Sequence, residues 1–323
     1  MLAAEYVLPL RWASDEGLAD LTGYLGDLRS WVDVTIVDGS PAPLFARHAV
    51  QWRGLARHVP VGQRPGRNGK VRGVLTGIDL ARHELIIIAD DDVRHSRETL
   101  AAVVRALARA DLVKPQNYFS PLPWHARWDT ARTLLNRAFG SDYPGTYGVR
   151  RSILRATGGY DGDVLFENLE LERTVRAAGG RVVSEPGVFV PRRPPTFRHF
   201  CSQRVRQAYD SFAQPARLAL ELCLLPLVLF PSGRRTRARV VLSLSVAAVA
   251  LAEVGRRRAG GVRVFPPSSA LWAPAWAAER AVTIWLAAGH RLSGGVPYSG
   301  SKLRRAANGP RALRRRIRGQ QTD

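Results

Sequence analysis

Apolar residues follow two rhythms over the first two hundred positions. Short continuous runs rich in β-branched side chains, at 6–11 (YVLPLR), 33–38 (DVTIVD) and 85–88 (LIII), read as strands buried on both faces. Pro9 pushes the first of these toward a sheet edge or marks its last turn. Between the runs, apolar residues return at helical spacing. Leu18, Leu21, Leu25 and Leu28 form one such face, with Asp15 as the expected N-cap, and Val71, Val74, Leu75 and Ile78 form another behind a Gly-rich loop. Strand, helix and strand in that order predict a parallel pair with a right-handed crossover, so the chain opens as an α/β fold. Residues 111–151 are less periodic, and 165–183 read as a helix ended by Gly179 and Gly180, with a strand after it.

Past residue 210 the rhythm changes. Three apolar stretches, 215–231, 240–254 and 270–289, are separated by GRRTRAR and GRRRAGGVR. None is a clean span of ~20 residues, because Glu221, Glu253, Glu279 and Arg280 interrupt them. Trp272, Trp276 and Trp285 are amphipathic aromatics of the kind found at headgroup level. The expected division is therefore an α/β domain over 1–210, membrane-associated helices over 211–292 and a basic tail over 293–323. Under a simple zigzag one Arg-rich loop would face outward, against the positive-inside tendency, so at least one stretch is expected to be interfacial or re-entrant.

Charge sharpens that division. The net charge is +21, yet residues 1–200 hold 27 Lys and Arg against 22 acids, while residues 201–323 hold 21 against 5. Such asymmetry points to a polyanion. The apolar stretches between the basic runs favour an anionic membrane surface over nucleic acid, and the tail from Lys302 to Arg318 suits a cytoplasmic leaflet. Cys201 and Cys223 are the two cysteines, with no CxxC and no histidines at metal spacing, so neither a disulfide framework nor a zinc site is expected. MLAAEYVLPLRW reads as no signal peptide.

The strongest chemical signal is HELIIIADDDVRHS, residues 83–96. Asp90, Asp91 and Asp92 follow a buried strand, where adjacent carboxylates repel unless a cation or donors neutralise them. Hard oxygen ligands one residue apart, at Asp90 and Asp92, suit Mg²⁺ or Mn²⁺. The competing reading is a solvated turn in which Asp92 caps a helix over 94–107. Asp38 ends the second strand, where open α/β sheets bind ligands, and can either contact a ribose or base or close an Asx turn. Arg67, Asn68, Gly69 and Lys70 start a helix, a natural anion site that lacks the P-loop spacing.

The order VLPLR, TIVDGS, RNGKVRGVLTGI, LIIIADDDV resembles the nucleotide-binding half of family 2 glycosyltransferases with the GT-A fold. The resemblance covers about two thirds of the chain. It implies that Asp38 helps hold the nucleobase or ribose, and that Asp90 and Asp92 engage a sugar-nucleotide diphosphate through the metal, with Asn68 and Lys70 alongside. Where the family has an ED pair, this chain has Glu167 and Asn168. An amide cannot accept a proton, so Glu167, expected just outside its helix, becomes the candidate base. Gln203 and Arg206 match the QxxRW motif near the diphosphate. Gln207 replaces its Trp, which argues against polymer extension.

GGVPYSGSKLRRAA resembles the juxtamembrane ending of ceramide glucosyltransferase-like and hopanoid-modifying members. The implied activity is inverting sugar transfer from a nucleotide-diphosphate sugar to a lipid or lipid-linked hydroxyl, at the cytoplasmic face of the cell membrane. Two other readings compete: a nucleotidyltransferase-like enzyme on a similar fold, and a basic membrane or nucleic-acid binding protein without enzymatic activity.

Overall fold

The continuous apolar runs become the middle of a seven-stranded sheet. The computed structural model describes residues 1–230, 233–298 and 300–320. The chain forms two compact units. The sheet unit comprises Met1–Asn117, Tyr143–Pro191 and the segment from Asn308 onward; the helical unit comprises Tyr118–Asp142 and Arg192–Ala307.

The sheet unit is built from β1 (Ala4–Leu10), α1 (Leu18–Leu28), β2 (Asp33–Asp38), α2 (Ala42–Gln51), β3 (Arg57–Pro60), α3 (Gly69–Leu80), β4 (Leu85–Ala89) and α4 (Arg97–Ala106). The chain leaves it along β5 (Leu112–Phe119) and α5 (Trp124–Ala138), and returns through β6 (Thr146–Arg150), α6 (Arg151–Ala156), α7 (Glu167–Ala177) and β7 (Val182–Arg192). The strand order is β3-β2-β1-β4-β6-β5-β7. β1 pairs in parallel with β2 and β4, β2 in parallel with β3, and β6 antiparallel with β4 and β5. This is the expected α/β architecture, a mostly parallel GT-A-like sheet flanked by helices.

Alternation along each strand feeds two cores. Tyr6, Leu8, Ile87 and Ala89 join the layer with α1 and α4, while Val7, Ile86 and Ile88 join the layer with α3 and α7. That double burial is why the runs are nearly continuous in apolar residues; the polar exception, buried Thr35, donates to Glu5 on β1. Pro9 lies in a central strand but beyond Val7↔Ile88, the last pair with β4, so its missing N–H interrupts no ladder there. α3 sits close on β1, since a Cβ at Gly77 would lie 2.3 Å from Val7 Cγ1.

Two expected helix starts shift. α1 begins at Leu18 with Gly17 as N-cap and no side-chain cap. Asp15 turns instead to Arg47 and His48. α4 begins at Arg97, capped by a reciprocal Ser96–Thr99 box, which leaves the Asp92 carboxylate out of the cap.

The helical unit holds α5, α8 (Phe197–Tyr209), α9 (Pro215–Leu229), α10 (Arg234–Arg257), α11 (Pro267–Ala270), α12 (Ala273–Leu292) and the hairpin of β8 (Val296–Tyr298) and β9 (Ser301–Leu303). The charges that interrupt the apolar stretches are paired inside this unit. Glu221 accepts from Ser211 Oγ at 2.7 Å and Arg217 Nε at 2.8 Å, Glu253 takes Arg256 and Arg257, and Glu279 faces Arg204. Arg280 is fully buried beside Glu221 and the Trp276 ring. Trp276, expected at a headgroup boundary, is core, and Trp272 packs on Trp124 and Trp128; Trp285 is exposed. Arg137 on α5 closes the end of α10, donating to the carbonyls of Gly255 and Arg258 that the helix leaves unpaired. One stretch among the described residues, Arg234–Arg263, is long and apolar enough to cross a membrane, and it is mostly exposed.

Compactness divides the chain elsewhere than at 210 and 292, because α5 and α8 pack with the later helices. The tail also folds. α13 (Pro310–Gln320) lies on α7 in the sheet unit, burying Leu313 and Ile317 and exposing Arg311, Arg314, Arg315 and Arg318.

Candidate active site

Parallel pairing brings the C-terminal ends of β1, β2 and β4 to one rim of the sheet, with Leu10 opposite Asp38. Asp90 leaves β4 there, its N–H donating to Gly145 O at 2.8 Å. Buried Val93 and the bond from Val93 N to Asp90 O close a turn that leaves Asp91 and Asp92 half-exposed on the rim. Asp91 accepts from the Trp12 indole, which reaches over from the end of β1.

Lys70 is the centre of the site. Its Nζ lies 2.6 Å from Asp90 Oδ1 and 3.0 Å from Glu167 Oε1. Burial opposes charge on this ammonium, but the two carboxylates outweigh it and hold Lys70 protonated well above the usual lysine range. It is therefore a fixed cation and not a base.

The loop before α3 explains how Lys70 is aimed. Asn68 caps α3, its Oδ1 accepting from the N–H groups of Lys70 and Val71. Its own N–H donates to Gly162 O, and its amide donates to Val164 O. Gly66, at φ +101°, lets the loop touch Gly162, where a Cβ would come within 2.6 Å of Cα. Asn68 is fully buried and ties this loop to the segment leading into α7.

Glu167 is the first residue of α7 rather than a residue outside it. Its neighbour Asn168 donates from Nδ2 to Pro144 O at 3.0 Å. An ionised aspartate could not make that bond, so the departure from the family's pair is a tether on the chain entering β6.

Asp38 stands at the end of β2, as expected, but it is 2% exposed and its carboxylate faces inward. It accepts from Ser40 N at 2.8 Å and meets His48 Nδ1 at 2.6 Å and His58 Nε2 at 3.0 Å. Burial pushes its carboxyl up, and the bonds from His58, Ser40 and His48 more than reverse this, holding it well below the carboxylate range. Gln203 and Arg206 belong to α8 in the helical unit, where Arg206 donates to Gln203 Oε1 at 3.4 Å and lies over the Tyr298 ring at 4.7 Å.

The site thus joins Lys70, Asp90 and Glu167 directly and Asn68 behind them. Sequence reasoning missed Trp12, whose only signal was an aromatic two residues past a strand end. It also missed His48 and His58, ten residues apart on different elements, and Asn308, which had no signal. Asn308 donates from N and Nδ2 to the two oxygens of buried Glu170, at 2.7 and 2.8 Å, and to Asp161.

A sequence profile described as "Glycosyltransferase like family 2" matches residues 45–210. Among solved structures, a mannosyltransferase from Pyrobaculum calidifontis, PcManGT, in complex with GDP-Man and Mn²⁺, is 19% identical over 88% of this chain and 87% of that one, with a TM-score of 0.52. Glucosyl-3-phosphoglycerate synthase from Mycobacterium tuberculosis, in complex with Mn²⁺ and UDP-glucose, is 18% identical over 64% and 76%, with a TM-score of 0.42. No curated protein matches the chain.

Proposed function

The chain belongs to glycosyltransferase-like family 2, and from that premise we propose that it moves a sugar, with inversion, from a nucleotide-diphosphate donor to a hydroxyl of a lipid or lipid-linked acceptor at the cytoplasmic face of the cell membrane. The observation that carries this reading is the Lys70 ammonium set between Asp90 and Glu167. In this reading the ammonium is the permanent positive charge that answers the negative charge gathering on a leaving diphosphate, beside the carboxylate assigned to the acceptor.

Asp90 and Asp92 would hold Mg²⁺ or Mn²⁺. Their donors are hard oxygens at a half-exposed rim, the chemistry such ions take, and PcManGT, which shares the fold, is described with Mn²⁺. When bound, the ion neutralises charge on the departing diphosphate. Lys70 adds to that neutralisation and also pairs with Glu167 at 3.0 Å. Glu167 accepts the acceptor hydroxyl's proton as the oxygen attacks the sugar, and Asn168, through Pro144, fixes the start of α7. Asp38 is assigned to the nucleoside by its place at the end of β2. Gln203 and Arg206 are assigned to the diphosphate on motif spacing alone.

A lipid acceptor is supported by surface composition. Leu242 and Val246 on α10 are 64% and 60% exposed, and α10 begins with exposed Arg234, Arg235, Arg237 and Arg239. Apolar side chains flanked by arginines fit acyl chains beneath anionic headgroups.

The test is a thermal-shift screen of nucleotide sugars with and without Mn²⁺, followed by an assay for nucleoside diphosphate release. One donor should stabilise the protein only with metal. Full transfer by Asp92→Ala would remove the metal assignment, and stabilisation by nucleoside triphosphates with pyrophosphate release would replace sugar transfer with nucleotidyl transfer.

A further inference from the structure

Asp38, His48 and His58 converge from β2, α2 and β3, and the transfer reaction has no task for all three. Their ligand-capable atoms lie within 4.8 Å of one another. The other ring nitrogen of His48, Nε2, is 3.1 Å from Asp15 Oδ1, and Arg47 holds that carboxylate at 2.7 Å. His48 therefore stands between two carboxylates. A neutral imidazole has a single N–H and can donate to only one of them, leaving the other contact lone pair against lone pair. Either the ring carries a second proton, or Nδ1 holds a cation while Nε2–H donates to Asp15. The latter is the carboxylate–histidine–metal relation that orients ligands in metalloproteins.

We propose that Asp38 Oδ2, His48 Nδ1 and His58 Nε2 bind a divalent transition ion of the Zn²⁺ class, at a site separate from the Asp90 and Asp92 carboxylates. Two imidazole nitrogens and one carboxylate oxygen suit such an ion better than Mg²⁺ or Mn²⁺. The surroundings are dry. The side chains of Asp38 and His48 are 0% exposed, the Trp52 ring stacks on His48 at 4.6 Å, Phe45 stacks on His58 at 4.3 Å, and Trp12 meets His48 edge-on at 5.4 Å. These walls slow escape of a bound ion. Ligand atoms about 2.0–2.1 Å from a tetrahedral ion stand about 3.3 Å apart. The present separations of 2.6 and 3.0 Å need to open by less than about 1 Å. On binding, His48 releases its Nδ1 proton to solvent and keeps Nε2–H, and His58 moves its proton from Nε2 to Nδ1. The ion then pins the short edge strand β3 and helix α2 to the end of β2. This inference stands independently of the sugar-transfer reading.

Full-length protein is loaded with Zn²⁺, washed with a weak chelator and analysed for zinc. About one equivalent per chain is expected, retained in Asp92→Ala and reduced at least ~10-fold in His48→Gln and in His58→Gln. Co²⁺-loaded wild-type protein, which needs no variant to fold, should show the visible ligand-field bands of a nitrogen–oxygen site. Less than about 0.1 equivalent of zinc in the wild type together with no Co²⁺ bands, or equal zinc in both histidine variants, overturns the proposal.

Discussion

Lys70 shows how one side chain sets the chemistry of two others. Lys70→Met leaves Asp90 and Glu167 facing a gap without their cation. The leaving diphosphate loses a donor aimed at its developing charge, and kcat should fall by about 10²–10³ in steady-state assays. Glu167→Gln removes the proton acceptor but keeps the shape. It should lower kcat by about 10²–10⁴ while the donor KM changes little, and unchanged kcat would move the base elsewhere. The residues of this trio were legible in the sequence because each sits at a strand end or helix start, where local pattern fixes position. Asp38 was legible in place but not in company. His48 and His58 reach it from α2 and β3, and such meetings depend on tertiary packing that no local spacing records. The amide partners of Asn68 and Asn168 were not legible for a related reason: their Nδ2 groups donate to backbone carbonyls, and those have no sequence signature.

At the scale of elements, α7 carries the candidate base at its start and is held along its length by α13. Asn308 satisfies both oxygens of Glu170, whose carboxyl burial pushes above the usual range, and Arg173 donates to Asn308 O at 2.8 Å. Asn308→Ala leaves a buried carboxylate short of donors. Unfolding midpoints in urea should show a loss of about 1–3 kcal/mol. The return of α13 was hidden because its arginines dominate the composition, and only the spacing of Leu313 and Ile317 hinted at a docked face. In the helical unit, Asp129 on α5 meets Arg204 at 3.1 Å and Arg132 at 3.3 Å. Burial pushes its carboxyl up, but these guanidiniums bring it down to about 2, against about 3.9 in an unfolded chain. Since the folded value is the lower one, its stabilisation is complete above about pH 4 and is lost as pH falls toward 2. It amounts to on the order of 2–3 kcal/mol. Asp129→Asn should be less stable at neutral pH and should show a flatter acid limb in thermal melts.

At the scale of the whole molecule, the α/β half was legible because its strands are buried on both faces and announce themselves as continuous apolar runs. The helical half was harder, since a helix that packs inside a protein and one that meets lipid share a composition. What separates them is the partner of each interrupting charge, and Glu221, Glu279 and Arg280 have theirs within the unit. The exposed apolar face of α10 has no such internal account. The full chain should co-sediment with phosphatidylglycerol vesicles more than with phosphatidylcholine vesicles, and raising salt from about 0.1 to 1 M should weaken this. Replacing Arg314, Arg315 and Arg318 by Gln should remove about 1 kcal/mol of binding per arginine. Equal binding to both lipids at all salt concentrations would leave the basic surface without this role.

The interleaving of the two units bears on how the protein is made. A ribosome releases the whole central sheet, and then helices α8 to α12, before it releases Asn308 and the helix that seats against α7. A nascent chain stalled between Arg192 and Asn308 has its central strands but not its last brace, so competence to transfer sugar should arrive only after the hydrophobic segments have emerged and found their surroundings.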